Sequence, residues 1–97
     1  MLDGKHALVT GGGTGIGLAI ARALAERGAQ VTITGRRPDV LEDAARGLAG
    51  LHPQTMDVAD EASVVEGVAA AVAARGPVQV CVPNAGIAEG RSILKTD

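Results

Sequence analysis

The sequence lacks several features that mark familiar classes of protein. Its 97 residues contain no phenylalanine, tyrosine or tryptophan and only 1 cysteine. A single cysteine excludes an internal disulfide framework and a cysteine-rich metal site. Every apolar stretch is broken well before the roughly 18 residues that a membrane-spanning helix needs. The N-terminus has an early acid, Asp3, and no signal-peptide core, so we expect a soluble protein of the cytoplasm.

Strong net charge is absent as well. The 9 Lys and Arg residues oppose 11 Asp and Glu residues, which leaves a formal charge of −2. Without a basic surface, electrostatic binding of nucleic acid is not expected. Hydrophobic residues make up 46% and charged residues 21% of the chain, which is typical of one globular domain. Without aromatic residues, the core must consist of alanine, valine, leucine and isoleucine, whose small volumes suit close packing of helices on a sheet.

Short β-branched runs alternate with alanine-rich segments along the chain. The runs lack polar alternation, which is typical of strands buried on both faces. The four predicted strands are His6–Thr10, Gln30–Thr34, Gln54–Val58 and Val78–Val82. Strands separated by helices run parallel. The order β-α-β-α-β-α-β therefore predicts an α/β fold, the N-terminal portion of a Rossmann-type doubly wound parallel sheet.

Three helices connect these strands. We expect the second to cover about Val40 to Leu48 and the third to begin after Asp60. Ser63 with Glu66 has the spacing of a capping box and is an alternative start for the third helix. Stop signals follow the first helix at Arg27-Gly28 and the third at Arg75-Gly76-Pro77. The predicted core-facing residues are Ile16, Ile20, Ala23 and Leu24 in the first helix, and Val64 or Val65, Val68 and Val72 in the third.

A glycine-rich segment, Thr10-Gly11-Gly12-Gly13-Thr14-Gly15-Ile16-Gly17, joins the first strand to the first helix. Backbone N–H groups and the positive end of the helix dipole meet at such a position and favour a phosphate group. Glycines let a pyrophosphate approach the backbone closely. The spacing is neither G-x-G-x-x-G nor that of a P-loop. A turn that uses glycine for geometry alone is the alternative interpretation.

Three motifs in this order resemble the short-chain dehydrogenase/reductase family. They are T-G-x-x-x-G-I-G after the first strand, Asp57-Val58 after the third, and Asn84-Ala85-Gly86 after the fourth. The resemblance covers essentially all of residues 1–97, which match the NAD(P)-binding N-terminal half of the family's fold. It implies an oxidoreductase that moves a hydride between a nicotinamide coenzyme and a carbonyl or alcohol.

The resemblance also implies roles for individual residues. The pyrophosphate turn would comprise Gly11, Gly13, Thr14, Gly15, Ile16 and Gly17. Asp57 would accept a hydrogen bond from the adenine amino group, beside the backbone of Val58. The ribose and nicotinamide side of the cleft would be lined by Asn84, Ala85 and Gly86. Pro83 replaces the first Asn of many members and removes one N–H donor.

Each of these polar residues also has a structural interpretation. Asp57 could cap the turn into the next helix, and Asn84 could be a turn residue with left-handed geometry. Cys81 lies in an apolar strand, where an inert core thiol is expected. His6 and His52 have no acidic or cysteine partner in the sequence, so we interpret them as structural or surface residues.

The end of the second strand predicts the choice of coenzyme. NAD-binding folds place an acid there to hold the ribose 2′-OH, but this chain has Gly35 followed by Arg36 and Arg37. A guanidinium group binds a 2′-phosphate through paired hydrogen bonds. We therefore predict NADP(H), with Arg36 as the main phosphate ligand and Arg37 as support. NAD is the alternative, in which the two arginines are merely solvated.

The family's catalytic set, a Ser and a Tyr-x-x-x-Lys pair, is absent, because the chain has no tyrosine. The resemblance implies that the chain stops before the catalytic segment, so no catalytic residue is assigned here. It also implies a small carbonyl or alcohol substrate and a homo-oligomer. The alternatives are a non-catalytic dinucleotide-binding module and a half-domain whose sheet is completed by a second chain, which would cover the fourth strand.

Overall fold

The fold is a four-stranded parallel sheet with helices on both faces, as the sequence predicts. The computed structural model describes residues 2–84. Its elements are β1 (His6–Thr10), α1 (Gly15–Glu26), β2 (Gln30–Gly35), α2 (Pro38–Ala45), β3 (Leu51–Thr55), α3 (Glu61–Arg75) and β4 (Val80–Pro83). The strand order is β3-β2-β1-β4, with Val9 paired to Ile33 on one side and to Val82 on the other.

The two faces of the sheet are covered by different helices. Residues of α1 and α2 pack with alternate residues of β1, β2 and β3 in one cluster. That core is entirely aliphatic, as expected, and comprises Ala7, Val9, Ala21, Ala29, Val31, Ile33, Leu41, Ala44 and Leu51. The opposite face carries polar residues of β1 and β2 and packs against α3.

Small residues bring α3 close to the sheet. Its buried positions are Gly67 and Ala71, whereas Val65 and Val72 are exposed. The predicted stripe was therefore wrong at Val65 and Val72, whereas Val64 and Val68 are half-buried. A Cβ on Gly67 would lie 2.6 Å from the terminal methyl of buried Met56, so a larger residue there would require the end of the Met56 side chain to move.

The core face of α1 was mispredicted at its first position, Ile16, whereas Leu24 packs against the core, and Ile20 and Ala23 are half-buried. Ile16 is 73% exposed, and the helix packs through Gly17 and Ala21. Apolar periodicity identifies a helix but favours the larger side chains, whereas contact with a sheet at short distance requires the smaller ones. The predicted stop holds, since α1 ends at Glu26 and Gly28 has φ of 99°.

The third strand begins three residues earlier than predicted. β3 is Leu51–Thr55 instead of Gln54–Val58, and it includes Pro53. The N–H of Met56 donates to the Gly35 carbonyl at 2.8 Å, so by alternation the nitrogen of Pro53 points away from β2. Proline is tolerated there because β3 is an edge strand.

The remaining boundaries follow from local capping. The carboxylate of Asp60 accepts the N–H groups of Ala62 and Ser63 at 3.0 and 3.4 Å, so α3 begins at the first predicted position and the capping-box alternative is wrong. The second helix runs two to three residues earlier than predicted, because Pro38 occupies its first turn. In contrast, the fourth strand begins two residues later than predicted, at Val80.

Cys81 was predicted to be a core thiol and is exposed. Cys81 lies on β4 and pairs with Leu8 of β1. No other described strand covers the outer edge of β4. Among residues 2–84, no helix is long and apolar enough to cross a bilayer. The same part of the chain contains no group of His, Cys, Asp and Glu side chains arranged to hold a metal ion.

Candidate functional site

An open groove of about 310 Å³ lies at the carboxyl end of the sheet. It is bounded by the glycine-rich turn, the end of β2 and the first turns of α2. Its lining residues are Gly11, Gly13, Thr14, Thr34, Gly35, Arg36, Arg37, Val40 and Leu41. The structure thus brings the predicted phosphate turn and the two predicted arginines to one site.

The turn between β1 and α1 presents backbone donors to this groove. Gly11 and Gly15 have φ of 65° and 59°, a conformation that other residues rarely adopt. Thr14 is the N-cap of α1, yet its side chain makes no capping hydrogen bond, and the first turn contains no acid. The first N–H groups of α1 therefore have no side-chain acceptor of their own, as an anion site at a helix N-terminus requires.

The shape of the turn leaves room where a ligand would approach. A Cβ added at Gly15 would meet no atom within 4 Å, so the space beside it is open. A Cβ on Gly17 would instead collide with the Gly11 carbonyl oxygen and would lie 2.7 Å from the amide nitrogen of Asn84. Gly15 therefore leaves open space at the start of α1, while Gly17 allows the helix to approach β1.

Asn84 ties β4 to the glycine-rich turn. Its side-chain N–H donates to the Gly11 carbonyl at 3.3 Å, so Asn84 links the end of β4 to the turn. Ala85 and Gly86, the other residues of this motif, lie outside the described residues. Their predicted contacts with the coenzyme remain predictions.

Asp57 has a structural role in this structure. Its carboxylate accepts the N–H of Ala59 at 3.0 Å, and its own N–H donates to the hydroxyl of Ser63 at 2.9 Å. It therefore shapes the turn between β3 and α3, as the capping interpretation expects. Val58 follows it and is 40% exposed. Contact of either residue with adenine remains a prediction.

The two arginines after β2 differ in their surroundings. Arg37 forms an ion pair with Asp39, with 3.4 Å between Nη2 and Oδ2. Arg36 has no ion-pair partner among residues 2–84 and borders the groove. Gly35 occupies the position that holds an acid in NAD-binding folds, so this chain has no carboxylate there. Its backbone geometry is ordinary, and a Cβ would lie 3.4 Å from a methyl of Leu41, so the position has space for a side chain.

The sequence reasoning missed three residues that shape the groove. A Cβ on Gly12 would lie 2.8 Å from Ile33, which makes Gly12 a packing residue beneath the turn. Val40 and Leu41 form an apolar wall, within 3.1 and 3.3 Å of a Cβ built on Gly13. Their place in the first turns of α2, directly after the arginines, is the signal that could have identified them.

The opposite, amino end of the sheet is closed by a polar network. Buried His6 has Nδ1 2.8 Å from the Gly76 carbonyl and Nε2 2.7 Å from the Thr32 hydroxyl. A carbonyl only accepts, so Nδ1 carries the proton and Nε2 accepts from Thr32. The Nε of Arg75 donates to the same hydroxyl at 2.9 Å. His6 is therefore structural, as predicted, and fastens the end of α3 to β1 and β2.

Comparison with known proteins identifies the family. The model of the short chain dehydrogenase family matches residues 5–97. The chain belongs to this family. Among characterised members, it is 46% identical over 98 residues to the NADP-dependent (R)-specific alcohol dehydrogenase of Lentilactobacillus kefiri, covering 98% of this chain and 39% of that protein.

Other short-chain dehydrogenases show the same partial coverage. The chain is 43% identical to the gluconate 5-dehydrogenase of Gluconobacter oxydans, covering 89% of this chain and 35% of that enzyme. The crystal structure of a 3-ketoacyl-(acyl-carrier-protein) reductase from Brucella melitensis complexed with NADH matches with a TM-score of 0.79 and 34% identity, covering 84% of this chain and 34% of that one. The chain thus spans between about a third and two fifths of these relatives.

Proposed function

We propose that this chain is the coenzyme-binding part of an NADP(H)-dependent oxidoreductase that interconverts a carbonyl and an alcohol. The observation that carries the proposal is the groove itself. It combines the uncapped N-terminus of α1 with two arginines at the end of β2. Membership of the short-chain dehydrogenase family supplies the reaction class, in which the bound nicotinamide exchanges a hydride with the substrate.

The residues of this chain bind and orient the coenzyme. The amides at the start of α1 hold the pyrophosphate, and the Gly15 position lets it approach the backbone. Asn84 keeps Gly11 in place, so the turn has one conformation when the ligand arrives. Asp57, Val58, Ala85 and Gly86 are proposed to contact adenosine and nicotinamide. Proton transfer is assigned to none of these residues.

The 2′-phosphate of NADP(H) is proposed to bind Arg36, with Arg37 in support. A carboxylate at the end of β2 would repel this phosphate, and Gly35 supplies none. Arg36 is available because no described acid pairs with it. The NADP-dependent relative supports this preference, whereas the reductase solved with NADH makes NAD the competing coenzyme.

Titration of the intact protein with NADPH and NADH tests the proposal. In Arg36→Ala, NADPH should bind about tenfold or more weakly, because a charge-assisted hydrogen bond is lost, and NADH affinity should change little. Arg46→Ala is the matched control, since Arg46 is an exposed arginine of the same region that pairs with Asp43, away from the groove. Equal losses for both coenzymes, or none in Arg36→Ala, would contradict NADP(H) specificity.

The reaction class has its own test. The intact protein is incubated with NADPH and a panel of ketones and aldehydes. Turnover should appear as a loss of reduced nicotinamide absorbance, because NADPH is oxidised. Tight NADPH binding without turnover of any carbonyl or alcohol would favour a non-catalytic module. We also infer that the protein is cytoplasmic, and its single cysteine agrees with a compartment in which disulfides are rare. We infer that it forms a homo-oligomer, and sedimentation of the intact protein measures its assembly.

A further inference from the structure

The segment that follows β2 contains an acid beside its two bases. Asp39 lies in the first turn of α2, where the helix dipole favours a carboxylate. Its Oδ2 is 3.4 Å from Nη2 of Arg37, and the two side chains are 73% and 74% exposed. Arg37 borders the groove and Asp39 does not. One of the two proposed phosphate ligands is therefore already engaged by an internal anion.

This ion pair is weak enough to be exchanged. Both partners are largely solvated, and the distance is long for a charge-assisted hydrogen bond. A phosphate offers three acceptor oxygens and more negative charge than a carboxylate. Arg37 can therefore leave Asp39 for a phosphate, but the binding free energy is reduced by the pair that must break.

We propose that Asp39 is a specificity-determining residue, which competes with the 2′-phosphate of NADP(H) for Arg37. The inference rests on the proposed function. Arg36 binds the phosphate without competition. Arg37 contributes only the difference between the free energy of its interaction with the phosphate and that of its ion pair with Asp39. Asp39 thus narrows the preference for NADPH over NADH, because NADH has no 2′-phosphate and leaves the Arg37–Asp39 pair intact.

Asp39→Asn tests this inference in the intact protein, with Asp43→Asn as the matched control. Both changes are nearly isosteric, remove one negative charge from α2 and break one exposed ion pair with an arginine. Only Asp39 neighbours an arginine of the groove. Dissociation constants are measured for NADPH and NADH, at low and at high salt.

NADPH should bind about two- to fivefold more tightly to Asp39→Asn, with NADH unchanged and with Asp43→Asn close to the wild type. The gain should shrink at high salt, because exposed charges are screened. In an Arg37→Ala background the gain should disappear, since the competition needs Arg37. A gain that persists there would identify direct repulsion of the phosphate and would overturn the inference.

The two proposals fail differently. Weaker NADPH binding to Asp39→Asn would mean that Asp39 orients Arg37 for the phosphate, and would overturn the competition alone. The same holds if both Asn variants behave alike while Arg36→Ala still loses NADPH affinity. If Arg36→Ala has no effect, or the wild type binds neither coenzyme, the proposed function fails and the inference falls with it.

Discussion

The two ends of the sheet use their polar groups in opposite ways. At the amino end, buried His6 and Thr32 and half-buried Arg75 and Gly76 satisfy one another in a hydrogen-bonded network. At the carboxyl end, the first amides of α1 have no side-chain cap. The Thr34 hydroxyl there is buried without a hydrogen-bond partner among residues 2–84, and Arg36 has no ion-pair partner in that part of the chain.

The difference separates stability from binding. Satisfied buried polar groups hold elements together, and losing one partner leaves the other without compensation. The unpaired amides and Arg36 at the other end contribute little to the stability of the fold, and a ligand of opposite charge stabilises them. Substitutions at the amino end should therefore lower the free energy of unfolding, whereas those at the carboxyl end should change coenzyme affinity.

The largest effect is expected at the helix start. In Gly17→Ala the new methyl meets the Gly11 carbonyl oxygen, so the turn must shift. NADPH should bind roughly a hundredfold more weakly, since a displaced turn no longer presents its amides to the pyrophosphate. Gly35→Ala is the control at the same groove, because a Cβ fits there at ordinary contact distance. Similar losses in both variants, measured by fluorescence titration, would refute the steric argument.

The next effect is expected at the amino end. His6→Ala removes the donor to Gly76 and the acceptor for Thr32, and should lower the free energy of unfolding by about 2 kcal/mol. Urea denaturation measures this loss. The ratio of NADPH to NADH affinity should stay at the wild-type value, because the network lies away from the groove. A changed ratio would show that the two ends are coupled.

A smaller change should convert the coenzyme preference. Gly35→Asp adds a carboxylate at the end of β2, where space exists beside Leu41. NADPH affinity should fall about tenfold through repulsion of the 2′-phosphate, while NADH binds as well or better. Isothermal titration with both coenzymes checks the result. Parallel changes for the two would place the 2′-position elsewhere.

The smallest effect concerns pH at the amino end. Desolvation, and after it the positive charge of Arg75, lowers the pKa of His52 below its usual 6.5. The folded state thus favours neutral His52, so its contribution is present above the unfolded pKa of about 6.5 and is lost as the pH falls below it. Denaturation curves at descending pH should show a shallower decline for His52→Gln than for the wild type. An identical decline would mean that His52 does not contribute.

Sequence patterns predicted the order of elements and the place of the site. The buried strand runs, the capping aspartate Asp60 and the glycine-rich turn depend on local chemistry, which neighbouring residues determine. The convergence of Gly11, Arg36 and Arg37 was also predictable, because parallel strands bring successive loops to the same edge. The roles of Asp57 and of Ala85 and Gly86 toward a coenzyme stay predictions.

Other features depended on what each element packs against. Val65 and Val72 of α3 and Ile16 of α1 looked like core residues and are exposed. The fully buried positions of these helices are the small residues Gly67, Ala71, Gly17 and Ala21. Cys81 is exposed because β4 forms an edge of the described sheet. The pairing of Arg37 with Asp39 depends on where the N-cap and the first turn of α2 place the two side chains.

By itself, then, the sequence determined the α/β order, the aliphatic composition of the core and the position of the glycine-rich first turn, since each follows from residues adjacent in the chain. Only the tertiary structure decided which helix faces are buried, that His6, Thr32 and Arg75 close one end, and that Arg36 stands open while Arg37 does not. The buried helix faces and the His6 network depend on distances between residues far apart in sequence. The Arg37–Asp39 pair depends on the extended backbone of Arg37 at the start of α2, and local propensity encodes neither.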